Sequence, residues 1–268
     1  MKNFTKIFFA VLIVSLFFFV GWSKKDSNVL TVGSTPELHA AMLKNVEDNL
    51  AEEGITLKVI DFTDYVTPNE ALEGGQLDAN FFQHLPYMDS FNAERGYHLV
   101  NAGGIHIEPV ALYSKKISSV DEIKDGATIA IPNDPTNEGR ALLLLQSAGL
   151  IKLDENAGIT ATPQNIVENP KNIKFHEIEA ASLPRVLLDV DAAVINGNYA
   201  IQGGLNPTKD AVILEQADAT NPYVNILACR AGEENSEKIQ ALVKVLKSDE
   251  VRNFILSTYS DGSVIPAE

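Results

Sequence analysis

The sequence predicts an α/β fold. Short β-type runs, turns built from Ser, Thr, Asn and Pro, and helical patterns alternate from residue 29 to the end of the chain. No repeat period of 20–50 residues and no low-complexity tract interrupts that alternation. At 268 residues, 45% hydrophobic and 21% charged, the composition is that of an ordinary globular protein. That length permits one large domain or two lobes, each burying its own core.

Taken in order, Val29-Leu30-Thr31-Val32 reads as a strand, and Gly33-Ser34-Thr35 turns into Pro36, the expected first helical residue behind a Thr cap. Leu38, Met42, Val46 and Leu50 follow at i+4 spacing and Gly54 closes the helix; residues 57–62 form the next strand. Thr67-Pro68 and Leu85-Pro86 each open a short helix, while 98–100 and 107–113 are extended. Residues 128–132 make a strand, 133–137 supply caps, and a helix runs over 138–148. Further strands fall at 174–178, 192–195, 211–214 and 224–229, and one amphipathic helix from Ser236 to Thr258 closes the chain.

This order predicts mostly parallel sheets. The extended stretches 109–113 and 224–230 are the places where the chain would cross between lobes. Such a chain leaves lobe one, builds lobe two and returns, giving lobe one as 29–110 plus 228–268 and lobe two as 111–227.

Residues 1–22 have a different character. Lys2 and Lys6 precede a 14-residue apolar run from Ile7 to Val20, a basic n-region and h-region too short for a membrane span of about 20 residues. This is an export signal, and the protein is expected in the cell envelope, in the periplasm or on the outer face of the cytoplasmic membrane. Bacterial lipoproteins end this region with a lipidated cysteine, but here Trp22 stands in that place, so the sequence does not support lipidation. Cleavage after Ser23 and anchoring by an uncleaved segment both remain open.

With 21 Lys+Arg against 36 Asp+Glu, the net charge of −15 argues against nucleic-acid partners, whose phosphates need clustered cations. The single cysteine, Cys229, excludes an internal disulfide and any cysteine-rich metal site, and its apolar neighbours make it a buried, inert thiol. The nucleophile elbow, the phosphate and dinucleotide loops and the zinc-protease motif are all missing, so no catalytic group is expected and the chain is not read as an enzyme. Nor is a cofactor or metal expected. His106 and Glu108 would share a strand face, either as a metal-ligand pair or hydrogen-bonded to each other or to turns.

Ligand capture is better supported. The stretch 132–140, PNDPTNEGR, sets caps and Arg140 at the first turn of an apolar helix, where free N–H groups and a guanidinium suit a carboxylate. The alternative is a surface arginine offsetting Glu138. Residues 80–87, NFFQHLPY, gather aromatic rings, His84 and amides at a strand-to-helix junction, the end of an α/β sheet where ligands sit. Phe81 reads as core there, while Gln83, His84 and Tyr87 have polar tips that need partners. Asn196, Asn198 and Asn225 place side-chain amides at strand ends, serving either as turn chemistry or as ligand contacts.

Residues 80–87, the stretch IPNDPTNEGRALLLL at 131–145, AVINGNYA at 193–200 and PYVNI at 222–226 together resemble the methionine-binding substrate-binding lipoproteins of ABC importers, the MetQ/NlpA family. The likeness covers essentially residues 29–268. It implies a two-lobed periplasmic-binding-protein fold of the type II-like kind, with two crossover segments at the hinge and methionine in the interlobe cleft. By the same resemblance, Arg140 clamps the ligand carboxylate, Asn198 and Asn225 hold its amino and carboxylate ends, and Tyr65, Phe82, His84 and Tyr87 surround the thioether. The implied partner is an ABC permease with a cytoplasmic ATPase, and the chain is expected to be a monomer. Other readings are a different small amino acid, a methionine-containing dipeptide, or an envelope surface protein for adhesion or signalling. Gly197 departs from the pattern, standing where Thr or a similar residue is expected and leaving the neighbouring amides intact.

Overall fold

The computed structural model describes residues 28–217 and 221–267. The export signal expected at 1–22 lies outside the described residues. Among the described residues no helix is long and apolar enough to cross a membrane.

From the amino end, β1 (Val29–Ser34) is followed by α1 (Leu38–Asn45), α2 (Glu47–Glu52) and β2 (Thr56–Asp61). Next come α3 (Thr67–Glu73), β3 (Ala79–His84), α4 (Leu85–Arg95) and β4 (Leu99–Ile107). The chain then builds a second sheet region with β5 (Ala111–Tyr113), β6 (Thr128–Pro132), α5 (Pro135–Ser147), β7 (Lys152–Leu153), β8 (Ile166–Glu168) and β9 (Lys174–Ile178). That region continues through α6 (Leu183–Val186), β10 (Ala192–Ile195), α7 (Gly197–Gln202) and β11 (Ala211–Leu214). The return runs through β12 (Val224–Arg230), α8 (Glu237–Leu246), α9 (Asp249–Thr258) and β13 (Ile265–Pro266).

The strands form a six-stranded sheet, β13-β4-β12-β3-β1-β2, a five-stranded sheet, β11-β5-β10-β6-β9, and the small β7-β8 ribbon. Both large sheets follow one plan. β2-β1-β3 and β9-β6-β10 are parallel trios. Each trio is extended by the strand that carries the chain across from the other sheet, β12 or β5, running antiparallel to its neighbour. The expectation of mostly parallel sheets therefore holds only for one flank of each. A returning strand enters from the far end of the sheet and must run against the βαβ trio. The α/β, two-lobed architecture with two crossings is the one the sequence implies, and β12 begins the second crossing at Val224.

Three helical predictions need correction, the first being the single helix expected to run to Gly54, which is broken at Val46 into α1 and α2. Helix α1 starts at Leu38, not at Pro36: Glu37 adopts a left-handed φ of 66°, and the Thr35 hydroxyl bonds to His39 Nδ1 at 2.8 Å instead of capping a backbone N–H. The apolar series Leu38, Met42, Val46 and Leu50 is nevertheless fully buried under the first sheet. The single closing helix is two helices, because Ser248 ends one and caps the next, its Oγ accepting from Val251 N–H with Asp249 and Glu250 in the first turn. Ile239, Leu242 and Leu246 on α8 and Val251 and Ile255 on α9 still share that first core.

The second lobe buries Leu142 and Leu145 of α5 against Ile129, Ile131 and Val194 of its sheet. Here α5 runs so close to the 3-10 turn at Gly158–Thr160 that a Cβ on Gly139 would fall onto the Ile159 carbonyl oxygen. Gly139→Ala must push the helix off that backbone, and it should lower unfolding stability by about 1–3 kcal/mol, read from urea titration of parent and variant.

Candidate functional site

The carboxyl ends of the two parallel trios face each other, and residues at and just beyond them line one cavity. Its wall contains Tyr65, Phe82, Gln83, His84, Tyr87, Glu108, Asn137, Arg140, Asn196, Gly197, Asn198 and Asn225. The structure thus brings together all seven residues singled out from the sequence: Tyr65, Phe82, His84, Tyr87, Arg140, Asn198 and Asn225.

On the aromatic side, Phe82 and His84 come from the end of β3 and Tyr87 from the first turn of α4. His84 is the N-cap of α4: its Nδ1 accepts the Tyr87 N–H at 3.1 Å, so the proton sits on Nε2, which donates to Asn137 Oδ1 at 3.1 Å. Burial, with the nearby Arg140 charge, lowers the imidazole to about 3 and keeps it neutral. Tyr65, Phe82 and Tyr87 form a tilted and edge-on ring cluster with centroids 5.8–6.1 Å apart. Burial first of all raises the Tyr65 and Tyr87 phenols, which stay protonated donors; Tyr65 Oη donates to Asn198 Oδ1 and Tyr87 Oη to the Tyr65 carbonyl. Phe81 packs away from the cavity, fully buried. Gln83 lines the wall, yet its amide is engaged by Asn69 and Asn80.

On the polar side, α5 is opened by Asp134, whose carboxylate accepts the Asn137 N–H at 3.0 Å and both bonds from Asn137 Nδ2. That leaves Asn137 Oδ1 as an acceptor for His84 and for Asn196 Nδ2. Arg140, only 3% exposed, is not a surface partner of Glu138. Its Nε and Nη2 donate to the Glu215 carboxylate, Nη2 also donates to the Glu108 carbonyl at 2.8 Å, and the Tyr223 ring lies 4.2 Å beneath the guanidinium carbon. Among the described residues Nη1 has no protein acceptor.

Behind the cavity lies a buried polar node. Glu108 Oε1 accepts from His106 Nε2 at 2.8 Å and His39 Nε2 at 3.1 Å, and Oε2 accepts the Asn198 N–H at 2.8 Å. Burial alone would raise the Glu108 carboxyl, but the two imidazoles hold it well below the usual carboxylate range. His106 and Glu108 are therefore bonded to each other, one of the two readings open from sequence. The ligand-type atoms of His39, His106 and Glu108 lie within 4.8 Å of one another, close enough to be offered to a metal ion. Gly197 is explained here: a Cβ would come within 2.9 Å of the Glu108 Cβ. Sequence reasoning missed Glu215, Tyr223, Asn137 and His39 as parts of this site. Asn137 alone carried a local signal, as a cap-stretch amide three residues before Arg140.

Two α/β lobes, joined by two crossings and closing on one aromatic and polar cavity, define a substrate-binding protein of the periplasmic kind. The profile of the NlpA lipoprotein family matches residues 30–268, and the chain belongs to that family. A D-methionine-binding lipoprotein MetQ from Salmonella typhimurium is 45% identical over 248 residues, covering 91% of this chain and 90% of its own. A nutrient-binding protein from Burkholderia cenocepacia, solved bound to methionine, is 47% identical and covers 89% of this chain and 100% of its own at a TM-score of 0.86. A periplasmic substrate-binding protein of an ABC transporter from Coxiella burnetii is 43% identical and covers 89% and 100% at a TM-score of 0.84.

One carboxyl on α5 gives a measurable pH signature. Glu138 has a buried oxygen with no partner among the described residues, and burial, followed by the charges of Glu177 and Asp134, pushes it up to about 7 from 4.5. An acid raised on folding binds more protons folded than unfolded, so stability is full below about pH 4.5 and falls as pH rises through 7. Glu138→Gln, which cannot ionise, should match the parent near pH 4.5 and exceed it by about 1–3 kcal/mol at pH 8, measured by denaturant unfolding at both pH values.

Proposed function

We propose that this chain captures methionine between its lobes and hands it to an ABC importer. The observation that carries the reading is convergence: residues drawn from β3, α4, α5, α7 and β12 meet in one cavity with a guanidinium at one end and an aromatic enclosure at the other. Arg140 Nη1 meets the ligand carboxylate, because Glu215 and the Glu108 carbonyl already hold the other donors of the guanidinium and fix its plane. Asn225 and Asn198 complete the polar end. Tyr65, Phe82 and Tyr87 enclose the thioether, whose polarizable sulfur is favoured at ring edges. The neutral His84 closes the enclosure without adding charge.

A ligand touching both lobes makes all its contacts only when the cleft is shut, so it shifts the hinge toward closure. The closed monomer then docks on a permease whose cytoplasmic ATPase drives import. The role involves no turnover; the relatives named above are binding proteins. The hinge lies in the crossover stretches 109–113 and 224–230. The protein works outside the cytoplasmic membrane, at the cell envelope.

Mass spectrometry of small molecules released on denaturing the pure protein should find methionine, and another small amino acid or a dipeptide in its place would replace this reading. In calorimetry, Arg140→Ala should bind methionine about 30- to 1000-fold more weakly than the parent, the cost of leaving a buried carboxylate poorly satisfied. Unchanged affinity would remove Arg140 from the site.

A further inference from the structure

The cavity holds acceptors that neither the aromatic enclosure nor Arg140 explains. Glu108 is 5% exposed and lines the cavity from the crossover between the sheets. An ionised carboxylate offers about four acceptor positions. Three are taken, two on Oε1 by His39 and His106 and one on Oε2 by the Asn198 N–H. One position on Oε2 remains. Among the described residues no Lys or Arg forms an ion pair with Glu108, whereas the cavity's one guanidinium already has its own carboxylate in Glu215.

Asn196 adds a second free acceptor. Both Asn137 Nδ2 bonds go to Asp134, so Asn137 presents its oxygen to Asn196, and Asn196 must answer with its nitrogen at 2.7 Å. The Asn196 Oδ1 is thereby left buried without a partner among the described residues, and Asn196 also lines the cavity. A carboxylate lacking a strong cation and an amide oxygen lacking a donor call for one positively charged group with several N–H bonds.

We propose that Glu108 is the specificity residue for the ligand's α-ammonium, with Asn196 Oδ1 as the second acceptor, so that the cavity selects for a free primary amine beside the carboxylate. This rests on the methionine reading and assigns the end of the ligand that Arg140 does not reach. The amine is sorted by a buried charge rather than by the amides of Asn198 and Asn225 alone. Asn198 Oδ1 already accepts the Tyr65 hydroxyl, which leaves it a single neutral acceptor position for the ammonium.

The test compares methionine with its 2-hydroxy analogue, 2-hydroxy-4-(methylthio)butanoate, which keeps the carboxylate and thioether and replaces the ammonium by a neutral hydroxyl. In calorimetry on the unaltered protein the hydroxy analogue should bind at least about 100-fold more weakly than methionine, as expected when one member of a buried charge pair is removed. Glu108→Gln should weaken methionine by a similar factor and shrink the preference for methionine over the hydroxy analogue to below about 10-fold, a change that loss of packing alone does not produce. If the parent binds both compounds within tenfold, or if Glu108→Gln keeps the full preference, the assignment is overturned while methionine capture stands. If the parent does not bind methionine, the capture reading itself falls. Should Glu108→Gln fail to fold, the two-ligand comparison on the parent decides.

Discussion

A guanidinium with 3% of its surface exposed cannot stay unpaired, since an isolated buried charge costs far more than one hydrogen bond returns. Arg140 is satisfied by groups from several parts of the chain: the Glu215 carboxylate beyond β11, the Glu108 carbonyl at the first crossover, and the Tyr223 ring at the start of the second. Both connections between the sheets are thus tied to the second turn of α5, where Arg140 stands. The same residue that presents a donor to the cavity also joins the two connections between the sheets. Its neighbours follow from that demand: Glu108 must stay close, which brings its side chain under α7 and forbids a Cβ at Gly197.

Around this node the polar groups are arranged so that each amide has one possible orientation. Asp134 fixes Asn137, Asn137 fixes both His84 and Asn196, and Tyr65 fixes Asn198. Low dielectric strengthens such bonds and makes every unmade one costly, so the chain of assignments is stiff. Preorganisation of this kind reduces the entropy lost when a small ligand binds, because the wall does not need to be ordered afterwards.

Much of the site was legible because its signals are local. The Asp134 cap, Pro135 and Arg140 lie within one helical turn or two of each other, and Phe82, His84 and Tyr87 straddle one strand-to-helix junction. What was not legible depends on long-range pairing. Glu215 is 75 residues from Arg140, and His39, whose Nε2 lies 3.3 Å from Asn225 Oδ1, is 186 residues from that partner, separations at which residue spacing carries no signal. The errors at the start of α1 and at the break between α8 and α9 are of another sort. Thr35-Pro36 has the form of a cap and first helical residue, but a buried histidine took the hydroxyl. The Ser248-Asp249-Glu250 start signal was overridden by an apolar stripe that runs on across both helices, because α8 and α9 bury their faces in the same core.

The bonds that span the cleft indicate how closure is balanced. Tyr65 to Asn198, Tyr199 to the Thr63 carbonyl, and His84 to Asn137 cross between the lobes, with the Tyr65 and Tyr199 rings 4.7 Å apart. Each such neutral bond contributes only about 0.5–1.5 kcal/mol net, because the open form hydrogen-bonds the same groups to water. A small molecule that touches both Arg140 on one lobe and the Tyr65, Phe82 and Tyr87 rings on the other makes all its contacts only in the closed form. That difference, rather than the tightness of any single contact, is what lets the cavity act as a switch.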